Sequence, residues 1–187
     1  MILQIYFCIH NIGINIDKNI LLYIIMQKKV NKMFEKYVPK PDPVEVQPKD
    51  EYEYTMFFDG CCKGNPGKGG AGAVIYKNGT EIWAQAIYVG DMCTNNISEY
   101  VGLILGLQQA KNMNIKTLFV KGDSQLVIKQ MKGEYKVSSP NIMDPHNDAK
   151  SIAKYFDKIE FQHVYRTFNK RADELSNFGL NYKTPLY

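Results

Sequence analysis

At Thr94 the spacing of apolar residues changes, and that change restricts the chain to a mixed fold. Before it, Tyr54–Phe58 (YTMFF), Ala73–Tyr76 (AVIY) and Glu81–Val89 (EIWAQAIYV) read as strands. The last two are joined through Lys77-Asn78-Gly79, whose Asn-Gly pair signals a tight hairpin. After it, Ile97, Val101, Ile104, Leu105, Leu107 and Ala110 fall close to helical spacing over Thr94–Asn112. Thr94 and Asn95 are both suited to cap that helix. Further on, the pattern predicts a strand at Thr117–Val120 and a short helix at Ser124–Lys132, stopped by Gly133. A loop containing Pro140 is expected over residues 136–142, then a helix at Asp144–Phe156. A fifth strand is expected at Glu160–Phe168 and a last helix at Asn169–Asn181. Three strands in a meander, followed by strands alternating with helices, imply an α/β domain with one mixed sheet and helices packed on it.

This pattern starts near Glu51 and accounts for residues 51–187 of the 187. Residues 38–50, VPKPDPVEVQPKD, are Pro-rich and read as an extended linker. Residues 1–50 are therefore expected to be a poorly ordered extension. Their apolar stretches fall short of the roughly 20 residues that cross a bilayer. They also lack the basic region and cleavage site of a secretory signal. A membrane-surface or partner-binding element and a short structural addition are the alternative readings of this segment. The expectation is translated upstream sequence before a later start at Met26 or Met33.

The net charge of +4 permits a polyanionic partner without demanding one. The four cysteines include no CxxC pair, which argues against a zinc site, a redox motif or a disulfide scaffold. They fit a reducing, intracellular compartment.

Chemistry enters with four acids at element ends. Asp59 and Asp123 follow the first and fourth strands, Glu99 lies early in the first long helix, and Asp173 lies in the first turn of the last helix. In open α/β sheets, sites form beyond the carboxyl ends of neighbouring strands. If strands one and four are neighbours, Asp59 and Asp123 meet there, and the two helices can add Glu99 and Asp173. Clustered carboxylates repel one another unless protonated or bound to cations. Oxygen donors select Mg²⁺ or Mn²⁺. Two such ions can clamp a phosphodiester. Each acid alone has a plainer reading as a turn, cap or helix-dipole residue. The conjunction is what points to a site.

Four motifs surround these acids in order: DGCCKGNPGKGGAG at 59–72, TNNISE at 94–99, GDSQ at 122–125 and NKRADEL at 169–175. Together they resemble the type 1 ribonuclease H family over about residues 53–182. The resemblance implies a mixed five-stranded sheet of order 3-2-1-4-5, with strand two antiparallel. It implies hydrolysis of the RNA strand of RNA–DNA hybrids with two Mg²⁺, or Mn²⁺ in their place. The products would carry 5′-phosphate and 3′-hydroxyl ends. Asp59, Glu99, Asp123 and Asp173 fall on the family's metal-binding carboxylates. Asn65, Thr94, Asn95, Asn96 and Gln125 fall on substrate-contacting positions. This suits the wide minor groove of a hybrid, where amides and hydroxyls reach 2′-hydroxyls and base edges. A monomer without a membrane partner is expected. A non-catalytic hybrid-binding module and a DNA-directed nuclease of the same superfamily are the rival readings.

Two features depart from many bacterial members. No His stands in a loop before the last helix, since Tyr165-Arg166-Thr167-Phe168 runs straight into Asn169. His163 is expected inside the fifth strand with a structural role, and Arg166, Lys170 or Arg171 to compensate electrostatically. The basic insertion after the short helix is reduced to Lys132-Gly133-Glu134-Tyr135-Lys136. Lys129, Lys132 and Lys136 have roughly helical spacing and are expected to form a ridge toward the DNA strand.

Overall fold

Residues 54–64 form the first strand, β1 (Tyr54–Gly64), which is the axis of the sheet. The structure is a computed structural model that describes residues 52–181. The expected extension and linker at 1–50 lie outside the described residues. β1 pairs antiparallel with β2 (Gly67–Lys77), which pairs antiparallel with β3 (Thr80–Cys93). On its other side β1 pairs in parallel with β4 (Thr117–Gly122), and β4 pairs in parallel with β5 (Lys158–His163). The sheet order is β3-β2-β1-β4-β5, as expected. Asn78 and Gly79 both have positive φ, the conformation that an Asn-Gly hairpin turn requires.

Four α-helices flank the sheet: α1 (Asn95–Asn112), α2 (Gln125–Lys132), α3 (Pro140–Ala153) and α4 (Lys170–Asn181). Alternation along β1 sorts its residues between the two faces. Met56 and Phe58 join Tyr100, Leu103 and Leu107 of α1 in the main core, with Leu118, Val120, Ile128 and Met131. Phe57 faces the other way and meets Tyr76 edge to face, with ring centroids 5.8 Å apart. On that face α4 buries Ala172, Leu175 and Phe178.

Three expectations need correction. β1 runs on to Gly64 instead of stopping at Phe58, because the Gly-rich stretch pairs residue for residue with β2, from Asp59↔Gly72 to Gly64↔Gly67. Glycine is a poor strand former in isolation. Here it is needed because helices press against the sheet. A β-carbon on Gly70 would stand 2.2 Å from the Ser176 carbonyl oxygen, and one on Gly60 would stand 2.1 Å from the Glu99 nitrogen. α3 begins at Pro140, not Asp144. A proline at the first helical position gives up an N–H that would be unpaired anyway. β5 ends at His163 and not at Phe168, since its partner β4 ends at Gly122, the residue paired with His163. Arg166–Phe168 then forms one 3-10 turn leading into α4. Among the described residues, no helix is long and apolar enough to cross a membrane.

Candidate metal centre

The parallel ladder between β1 and β4 ends at Phe58↔Gly122. The next residue on each strand is an acid, Asp59 and Asp123, so the ladder delivers two carboxylates to one sheet edge. Helix α1 delivers the third. Thr94 caps it, its hydroxyl accepting from the Ile97 N–H at 3.4 Å, and Glu99 follows in the second turn. One oxygen from each of Asp59, Glu99 and Asp123 lies within 4.8 Å of the others. Asp59 is 5% exposed and Glu99 8% exposed.

Burial and mutual repulsion raise the proton affinity of this cluster. Asp59 is pushed up to about 7, mainly by burial, against the pull of its Ser176 hydrogen bond; the charges of Asp123 and Asp173 add to the rise. Glu99 is pushed up to about 9 by burial and then by Asp59 and Asp123, while Arg166 opposes the rise. Glu99 Oε2 is buried without a hydrogen-bond partner among the described residues. The donors are all oxygen, the Arg166 guanidinium offsets only part of their charge, and one buried acceptor is unsatisfied. Those properties fit a divalent cation.

Asp173 was expected in the same cluster, but it is not one of the three carboxylates whose oxygens lie within 4.8 Å of one another. It lies in the first turn of α4, where its carboxylate accepts a hydrogen bond from the Arg166 guanidinium. Its charge still reaches Asp59. Four carboxylates in one place would repel strongly, and pairing with Arg166 relieves part of that.

The expected substrate contacts divide into two groups. Asn65, Thr94, Asn95 and Asn96 gather at the start of α1. Asn65 Oδ1 accepts from the Asn95 N–H at 3.1 Å, which ties the β1–β2 hairpin to that helix end. Gln125 is exposed at the start of α2, two residues from Asp123. The lysine ridge does not form as expected. Gly133 ends α2 in the left-handed conformation (φ 78°), so Lys136 is off the helix. Lys132 pairs with Glu134 at 2.6 Å, and Lys129 donates to the Tyr135 hydroxyl at 3.2 Å.

His163 is the exposed last residue of β5, its Nε2 3.2 Å from the Asp123 carbonyl oxygen. Sequence reasoning missed two residues that touch the carboxylates. Asn169 was read as a helix start and as the first residue of the NKRADEL motif, with no role of its own. It donates to Asp123 Oδ1 at 2.8 Å and to the Phe58 carbonyl at 2.9 Å. Ser176 had no motif signal of its own, and its hydroxyl donates to Asp59 Oδ2 at 2.6 Å. The only cue was position, since both lie within two turns of Asp173.

Residues 57–179 match the family model described as reverse transcriptase-like. The chain is 34% identical over 136 residues to ribonuclease HI of Halobacterium salinarum, covering 73% of this chain and 68% of that protein. It is 37% identical over 124 residues to a bifunctional protein of Mycobacterium tuberculosis, covering 66% of this chain but only 34% of that protein. The chain thus spans about a third of the length of that relative. The solved N-terminal RNase H domain of the mycobacterial protein superposes with a TM-score of 0.66 at 35% identity, covering 68% of this chain and 93% of that one. LC11-RNase H1, solved in complex with an RNA/DNA hybrid, superposes with a TM-score of 0.65 at 32% identity, covering 68% of this chain and 96% of that one. With the sheet order, the acidic centre and these relatives in agreement, the chain belongs to the type 1 ribonuclease H family.

Proposed function

We propose that this chain is an endoribonuclease that hydrolyses the RNA strand of RNA–DNA hybrids with two Mg²⁺ ions, leaving 5′-phosphate and 3′-hydroxyl ends. Mn²⁺ serves in their place. The observation that carries the reading is the buried trio Asp59, Glu99 and Asp123, with oxygens within 4.8 Å of one another at the end of the β1–β4 ladder. These three hold the ions, and Asp173, steadied by Arg166, completes the set from α4. When bound, such ions supply an activated water and neutralise charge on the leaving oxygen.

The protein's own part is to place the scissile phosphate at this edge. The start of α1 offers Asn65, Asn95 and Asn96 to the minor groove and Thr94 to a phosphate of the DNA strand. Gln125 adds a contact beside Asp123. With the ridge broken, Lys132 and Lys136 act singly on phosphates. All four carboxylates come from one chain, which supports a monomer. The three cysteines among the described residues are free thiols, in keeping with a reducing compartment.

A substrate panel tests this reading. Strand-labelled RNA–DNA hybrid, duplex DNA and duplex RNA are incubated with the full chain across Mg²⁺ and Mn²⁺ titrations. Cleavage confined to the RNA of the hybrid is the expected result. Hybrid binding without cleavage would assign a binding module, and cleavage of duplex DNA would assign a DNA-directed nuclease.

A further inference from the structure

We propose that Asn169 and Ser176 are positioning residues that pre-set the Asp123 and Asp59 carboxylates for metal, an inference that rests on the metal reading above. Neither residue carries charge, and both are closed to solvent, at 1% and 0% exposure.

The carboxamide of Asn169 has two N–H donors, and both are spent at the site. One goes to the Phe58 carbonyl at 2.9 Å and the other to Asp123 Oδ1 at 2.8 Å. Its orientation is fixed by chemistry, because a flipped amide would set its oxygen against two acceptors. Phe58 and Gly122 are the last register pair of the β1–β4 ladder. Asn169 therefore bridges the two strands one step beyond that pair, through the side chain of Asp123. A purely structural clip would have no need of that carboxylate. The arrangement also has a cost. Asn169 Oδ1 is buried without a partner among the described residues, and an unmet buried acceptor is unfavourable. The amide is thus oriented by its donors at the expense of its acceptor.

Ser176 does the same for Asp59. Its oxygen lies 2.6 Å from Asp59 Oδ2 and 2.9 Å from the Asp173 carbonyl, and its single hydrogen can serve one acceptor at a time. An ionised carboxylate is the stronger acceptor. With one oxygen of Asp59 and one of Asp123 tied down from the α4 side, the remaining oxygen of each is held in a fixed direction for an ion. Glu99, coming from α1, has no such tether among the described residues and keeps a buried free oxygen. Partners that orient metal ligands commonly change metal affinity or activity by about 10–100-fold when removed.

The test uses the full chain as wild type, Asn169→Leu and Ser176→Ala. Mn²⁺ binding is measured by titration calorimetry without substrate, folding by thermal unfolding in chelator, and kcat and KM on a hybrid. Asn169→Leu should weaken Mn²⁺ binding by about 10–100-fold, and Ser176→Ala by about tenfold. Both should lower kcat at fixed Mn²⁺ and leave KM for the hybrid near wild type. Should Asn169→Leu fail to unfold cooperatively, Ser176→Ala, a near-isosteric change, decides the matter. Near wild-type Mn²⁺ affinity with only a lower melting temperature would show a structural role and overturn the proposal. So would a wild type that does not bind Mn²⁺. A wild type that binds Mn²⁺ but leaves hybrids intact would defeat the functional reading, while the calorimetry still decides this one.

Discussion

Gly60 lies so close to Glu99 that a β-carbon on it would stand 2.1 Å from the Glu99 backbone nitrogen. From the other side, a β-carbon on Gly102 would stand 2.4 Å from the Asp59 carbonyl oxygen. Paired glycine contacts let α1 sit directly on β1, and that approach brings the Glu99 carboxylate to Asp59.

Gly60→Ala must push α1 away from β1. Overpacking of this kind costs typically about 1–3 kcal/mol. The displacement falls on Glu99, so activity should drop by more than tenfold while a folded protein remains. Urea unfolding beside hybrid cleavage checks both. Full activity in a folded Gly60→Ala protein would refute this account of the close approach.

The acidic pair makes the ion-free protein sensitive to pH. Asp59 and Glu99 titrate near 7 and 9 in the folded chain, against ordinary values of 3.8 and 4.5. The folded state therefore holds protons that the unfolded chain has released. Their contribution to stability is fully present below the ordinary values and is lost as pH rises through about 7 and then about 9. Thermal unfolding in chelator should give a melting temperature that falls from pH 5 to pH 9. Added Mn²⁺ should raise it more at pH 9 than at pH 6, because protons no longer compete. A melting temperature unchanged over this range would be inconsistent with the raised proton affinities.

Arg166 pairs with Asp173, and its charge also lowers the proton affinity of Glu99. Arg166→Gln removes that pull. The acid limb of the pH–rate profile should move to higher pH, by up to about one unit. Initial rates in saturating Mg²⁺ from pH 6 to 9 measure the shift, and a shift toward lower pH would contradict the assignment.

Arg171 anchors the start of α4 to β3 through a two-point pair with Glu81, Nε to Oε2 at 3.0 Å and Nη2 to Oε1 at 3.1 Å. The Arg171 side chain is 7% exposed, so removing Glu81 strands a nearly buried charge. Glu81→Ala should cost about 3 kcal/mol in urea unfolding. A cost below about 0.5 kcal/mol would place the pair with ordinary surface ion pairs.

Periodicity and turn chemistry read the order of elements correctly, because β-formers, the Asn-Gly turn and the α1 stripe all leave local marks. Element ends were harder. The continuation of β1 past Asp59 depends on pairing with β2 and on helices pressing against glycines, neither of which is local. Pro140 was read as a loop residue because its role depends on its place in the helix. The four acids stood out since the residue pattern set each near an expected element end, although β1 itself runs on past Asp59. Asn169 and Ser176 did not, because what marks them is a hydrogen bond across more than a hundred residues, Asn169 to Phe58 and Ser176 to Asp59. The lysine spacing misled for the converse reason. It continues past Gly133, but the helix does not.

The most direct measurement compares the wild-type chain with Asp123→Asn on an RNA–DNA hybrid labelled in the RNA strand, in Mg²⁺, with circular dichroism confirming that both are folded. The account predicts that the wild type cuts the RNA to products bearing 5′-phosphate and 3′-hydroxyl ends. Asp123→Asn, nearly isosteric but one charge short, should lose at least about a hundredfold in rate with its fold intact. Hybrid RNA left whole by the folded wild type, or cut equally well by Asp123→Asn, would contradict it.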